Sequence, residues 1–233
     1  MTPDNLILAL DLDDPKAALQ WIDRLKHKIG TFKIGMQLFN LTGPDFIKEI
    51  RLRDANVFLD LKFHDIPNTV GRAIESICKL DVSFVTIHTM GGRQMMSEAM
   101  KAASAFPRTT VLGVTVLTHH SEEDLVEIGF NHTPQGQVLE LARLAHSAEL
   151  KGLVCSPLEV SLIRREFSDH FTLVTPGVRP KGSDLNDQSR VTTPAEAIEL
   201  GSNYLVIGRP IMKAQNPEAV LDSILNSTTK KTN

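Results

Sequence analysis

Cysteine is nearly absent: the 233 residues include only Cys78 and Cys155. They form no CxxC pair and cannot build a disulfide framework. Both stand in apolar strings, ESICKL and GLVCSP, so buried free thiols are expected, which fits a reducing cytoplasm. An excess of basic charge is also missing. Net charge is −3, and no basic stripe of the kind that holds nucleic acid is visible. No apolar run is long enough to span a membrane, and no basic leader precedes an apolar segment, so no secretory signal is expected. Eight histidines are present, but none in HxH or HExxH spacing, so no metal site is expected.

What is present is a rhythm. With 42% hydrophobic and 23% charged residues, the chain reads as a globular protein. Short apolar runs recur at residues 6–12, 32–35, 56–63, 82–88, 110–118, 152–156, 171–177 and 203–208. Between them lie stretches of helical period at 15–28, 44–52, 70–80, 95–105, 136–150, 157–167, 194–200 and 217–225. In the first, Ala18, Trp21, Ile22, Leu25 and Ile29 follow the i, i+3, i+4, i+7 pattern of one helix face. Proline opens several of these stretches, where its missing N–H costs nothing. Asp13 and Asp14 before Pro15, and Thr193 before Pro194, are suitable N-caps. Eight strands alternating with helices predict a parallel sheet, closed as a single-domain (β/α)8 TIM barrel over 1–233 with a frayed polar tail at 226–233. In that fold the chemistry sits at the C-terminal ends of the strands.

Those ends are charged. The first run ends in Asp11, the second carries Lys33, the third Asp60 and Lys62, and Asp65 follows in the loop. Asp60 and Lys62, two apart on one strand, project from the same face, with Val57, Leu59, Leu61 and Phe63 on the other. A single Asp–Lys pair would be read as a solvated salt bridge. Five charges alternating in sign fit better a site that keeps Lys62 protonated beside carboxylates. The seventh run opens into the long polar loop 175–194, of the length used for lids and binding loops. The eighth ends in Gly208 and Arg209 at a helix start, where this fold often binds phosphate. Trp21 and the methionines Met90, Met95, Met96 and Met100 read as packing residues. His64 reads as structural, and His88 as lining the polar end of the barrel.

The string FLDLKFHDIPNTV at 58–70 resembles the signature of the orotidine 5'-phosphate decarboxylase family. LALDLDD, FKIGMQLF, TPGVRP, DQSR and VIGRPI match in the same order, so the resemblance spans nearly the whole chain. At the fifth run the match is shorter: VLTHH stands where a serine often follows the threonine. The resemblance implies cofactor-free decarboxylation of orotidine 5'-monophosphate to UMP, in pyrimidine biosynthesis, by a homodimer with shared sites. It implies Lys62 as proton donor to the C6 carbanion, Asp60 against the substrate carboxylate, and Lys33 with Asp65 completing the array. Asp65, Ile66 and Thr69 would reach into the partner's site. Asp11 and Lys33 would hold the ribose, Thr118 and Ser156 would face the pyrimidine, and Pro176 joins the binding set. Gln188 would bridge base and phosphate, which Gly208, Arg209 and the lid near Arg179 would clamp. D-x-K-x-x-D alone is shared with magnesium-dependent sugar-phosphate decarboxylases, against which the DIPNT and DQSR strings speak. Against a silent nucleotide-binding protein stands the cost of an unused buried charge array.

Overall fold

The computed structural model describes residues 1–179 and 192–228. Eight strands form a closed parallel barrel in chain order. They are β1 (Leu6–Leu10), β2 (Thr31–Gly35), β3 (Asn56–Phe63), β4 (Phe84–His88), β5 (Thr110–Val114), β6 (Gly152–Val154), β7 (Thr172–Thr175) and β8 (Tyr204–Ile207). Closure is made by β1 against β8, with Leu6, Ile7 and Leu8 opposite Leu205, Val206 and Ile207. The expected (β/α)8 fold is therefore observed.

Every residue of β1 is buried, because a barrel strand has two dry faces. Ile7 and Ala9 point inward to join Phe58, Phe84, Leu112, Val174 and Val206 in the barrel interior. Leu6, Leu8 and Leu10 point outward into the larger core under the helices. That is why the strands read as continuous apolar runs, not as alternating ones.

The helices are α1 (Pro15–Leu25), α2 (Met36–Thr42), α3 (Pro44–Arg51), α4 (Pro67–Cys78), α5 (Gly92–Ala103), α6 (Glu122–Glu127), α7 (Pro134–Ser147), α8 (Pro157–Phe167), α9 (Pro194–Glu199), α10 (Arg209–Met212) and α11 (Pro217–Thr228). Proline stands in the first turn of most of them. The Asp14 carboxylate accepts the Lys16 N–H at 2.8 Å and so caps α1. Thr193 and Glu196 close a reciprocal box at the start of α9. Helices α2 and α6 have no counterpart among the periodic stretches, because each buries a single leucine, Leu38 or Leu125. The last helix runs three residues into the segment expected to fray. Its Thr228 is buried, with Oγ1 donating to the Ile224 carbonyl at 3.0 Å. Residues 229–233 lie outside the described chain. Both cysteines are free and buried, as expected. Among the described residues no helix is long and apolar enough to cross a membrane.

In the interior, the Phe84 ring meets Phe58 edge-on at 5.8 Å and Tyr204 at 5.0 Å. Phe84→Ala should therefore cost about 3–5 kcal/mol of stability, read from urea unfolding. A loss below about 1 kcal/mol would show that the interior collapses to fill the gap.

Candidate active site

Three adjacent strand ends bring four charges into one row. Asp11 follows β1, Lys33 lies in β2, and Asp60 and Lys62 lie in β3. Lys33 Nζ is 2.8 Å from Asp11 Oδ1 and 3.8 Å from Asp60 Oδ2. Lys62 Nζ donates to both Asp60 oxygens, at 2.8 and 2.9 Å. Exposure falls inward along the row, from 67% for the Asp11 side chain to 12% and 13% for Lys33 and Asp60. The inner charges are thus short of water and depend on one another.

Asp60 is at the centre. Burial pushes its carboxyl up, but Lys33, then Lys62 with its hydrogen bond, and the Thr86 hydroxyl outweigh burial and hold it below the usual carboxylate range. His88 is shifted down as well, which for a base favours the neutral form. Burial first, then His64 and Lys62, lower it against the opposing pull of Asp60, so it stays neutral. Cys155 is buried and its thiol is pushed far up, first by burial and then by Glu159, which makes it inert as a nucleophile.

The row divides two hollows. One, of ≈ 190 Å³, has Lys33, Asp60 and Lys62 on one side and an apolar wall including Val114, Val154 and Val206 on the other, with Thr118 and Pro176 in its lining. The other, of ≈ 210 Å³, has Asp11, Gly35 and Gln37 beside the same three charges. Together they offer an apolar-walled slot and a polar shelf on either side of one charge row. A larger hollow of ≈ 560 Å³ is lined by Thr109, Glu149 and Lys151, which precede β5 and β6. It opens at the opposite end of the barrel, away from the charge row.

Not every expected residue meets the row. Asp65 is exposed, and its Oδ1 accepts the Ile66 N–H at 2.6 Å. Ile66 is 66% exposed, and Thr69 is exposed beside it in the first turn of α4. Ser156 is buried and caps α8, its Oγ accepting the Leu158 N–H at 3.3 Å, and it does not line either hollow. Gly208 precedes Arg209, the first residue of α10. A Cβ on Gly208 would lie 3.2 Å from both the Cβ and the carbonyl oxygen of Ala9, so β8 approaches β1 as only glycine allows comfortably. Arg179 is buried, and its N–H donates to the Thr192 carbonyl at 3.0 Å, pinching the base of the long loop. Gln188 lies outside the described residues. The apolar wall and Thr86 were not singled out from the sequence. Strand parity could have found Thr86, which shares the inward face of Phe84 and His88.

The depressed Asp60 carboxyl sets a pH test. A group whose folded pKa is lowered stabilises the fold above its unfolded value, and that contribution disappears as pH falls through the folded value. Below about pH 4, melting temperature should therefore fall less steeply for Asp60→Asn than for the parent. Parallel curves would mean that Asp60 is not held ionised by its neighbours.

The model of the orotidine 5'-phosphate decarboxylase / HUMPS family matches residues 4–224. The chain is 46% identical over 233 residues to orotidine 5'-phosphate decarboxylase of Vibrio parahaemolyticus, covering 99% of this chain and 100% of that one. It is 48% identical over 223 residues to the enzyme of that name from Mannheimia succiniciproducens, at 95% of both. Among solved structures, orotidine 5'-phosphate decarboxylase from Lactobacillus acidophilus superposes with a TM-score of 0.86 at 36% identity, covering 96% of this chain and 98% of that one.

Proposed function

The chain belongs to the orotidine 5'-phosphate decarboxylase / HUMPS family, and from that premise we propose how its residues remove CO2 from orotidine 5'-monophosphate to leave UMP. It is a carboxy-lyase of pyrimidine biosynthesis. The observation that carries the residue roles is the contact of Lys62 Nζ with both oxygens of Asp60 at the edge of an apolar-walled slot.

The pyrimidine ring enters the slot between the charge row and the apolar wall, with Thr118 and Pro176 at its edges. The ribose lies on the polar shelf, where Asp11 and Lys33 meet its hydroxyls. Gly208 and Arg209, with Arg179 and Gln188 of the long loop, hold the phosphate. Ser156, next to Cys155 of the slot, caps α8 with its oxygen and turns its hydroxyl proton to the pyrimidine. The C6–carboxyl bond then breaks, CO2 leaves, and the electron pair remains on C6. Ring delocalisation does little for a carbanion in that orbital, so the Lys62 ammonium beside it provides the stabilisation and then transfers its proton to C6. Solvent restores the proton. Asp60 keeps Lys62 charged, and its own negative charge meets the substrate carboxylate and favours its departure. Phosphate binding remote from C6 supplies energy realised only in the transition state. These steps call on the chain's own groups and on no cofactor.

Asp65, Ile66 and Thr69 complete a neighbouring site in a homodimer. A largely exposed isoleucine next to an exposed aspartate at the barrel mouth supports this reading, since large apolar side chains left in water often mark contacts. Its place of action is the cytoplasm.

Three outcomes are expected. Conversion of orotidine 5'-monophosphate, followed by ultraviolet absorbance, should be rapid and indifferent to EDTA. Lys62→Ala should lower kcat at least about 10⁴-fold while UMP still binds; near-normal turnover would sink the mechanism. A mixture of Lys62→Ala and Asp65→Ala chains should regain activity in heterodimers that carry one intact site. No recovery after proven subunit exchange would rule out the shared site.

A further inference from the structure

Strand β3 departs from regular pairing where its two charged residues stand. Leu59 pairs with Val85 and Phe63 with Ile87, so four steps along β3 run beside two along β4. Asp60, Leu61 and Lys62 therefore all lie opposite Thr86. Lys62 has φ 50°, in the left-handed region that long side chains rarely adopt. A residue held there needs surroundings that fix it from several sides.

A bulge also leaves a strand N–H without its ladder partner. Here the Lys62 N–H donates to Thr86 Oγ1 at 2.8 Å. The Thr86 hydroxyl in turn donates to Asp60 Oδ1 at 3.0 Å. The direction of both bonds is fixed, because an amide N–H only donates and an ionised carboxylate only accepts. Thr86 is fully buried, so the bonds face no competition from bulk water. Its β-branch restricts the side chain to few rotamers.

We propose that Thr86 is a positioning residue: one hydroxyl clamps the Lys62 backbone and the Asp60 carboxylate together before substrate arrives. The proposal rests on the roles given above to Lys62 and Asp60, and no bond is made or broken at Thr86 itself. The clamp acts by preorganisation. It holds the left-handed turn that aims the ammonium and stops the carboxylate from rotating away from it. The same hydroxyl is among the groups that keep Asp60 ionised, behind Lys33 and Lys62. Asp60 is also faced by His88 of β4. Thr86→Val leaves Lys33, Lys62 and His88 in place, so a change in Asp60 titration reports the lost hydroxyl.

Thr86→Val keeps the side-chain shape but removes both donor and acceptor. Its kcat should fall roughly 10- to 100-fold with KM within about threefold. The acidic limb of kcat/KM should move to higher pH. Thr86→Ser restores the hydroxyl and should bring kcat to within about threefold of the parent, with the limb in its original place. A folded Thr86→Val with parental kcat, or one merely less heat-stable with an unmoved limb, would overturn the clamp. So would a Thr86→Ser as impaired as Thr86→Val. Where Thr86→Val does not fold, Thr86→Ser decides: parental kcat and limb support the clamp, and loss of either overturns it. The parent assayed alongside keeps the two readings apart. If it does not decarboxylate orotidine 5'-monophosphate, the proposed function fails. The Asp60 carboxyl titration by ¹³C NMR then tests the clamp alone: a higher pKa in Thr86→Val supports it, and an unchanged one refutes it.

Discussion

A carboxylate held between two ammonium groups organises this end of the barrel. Asp60 has Lys33 on one side and Lys62 on the other, and none of the three is well exposed. Taking such ions out of water costs several kcal/mol each unless each keeps close partners of opposite sign. The row Asp11, Lys33, Asp60, Lys62 meets that condition by alternation, with its outer member reaching solvent. Removing one inner charge leaves another uncompensated, so the four side chains behave as one object. The strand ends that carry them must keep their register for the row to exist.

Beneath the row the barrel turns apolar. Phe58, Val154 and Val206 belong to the interior that packs around Phe84 and Leu112, and the same three residues line the slot. Charges set over such a floor, with Lys33 and Asp60 largely buried, interact more strongly than they would in water. The apolar wall and the charged edge thus work together: one lowers the local polarity, and the other puts the lowered polarity to electrostatic use.

Much of this was legible in the sequence, for stated reasons. Strands buried on both faces leave unbroken apolar runs, and amphipathic helices leave a 3.6-residue period, so the barrel could be counted out before it was seen. The charged strand ends followed from the same count. Elsewhere local pattern was silent. Helices α2 and α6 bury too little to leave a period. Alternation placed Asp60 and Lys62 together, and they do meet, but through a bulged backbone with Lys62 at positive φ, which no side-chain pattern encodes. Ser156 also caps a helix end with its hydroxyl oxygen, a second task that its place after an apolar run does not announce. Asp65 has no place in its own chain's row, and a single sequence does not show which chain a loop residue serves.

The seam where β8 closes on β1 carries a consequence of its own. Gly208 rests against Ala9 with no room for a side chain to spare, and Asp11 stands two residues beyond Ala9. On the proposed roles, the backbone that receives a phosphate and the carboxylate that receives a sugar are mounted on one rigid joint. Under those roles, the barrel's closure would act as a caliper, setting the span between phosphate and sugar by the packing of two neighbouring strands.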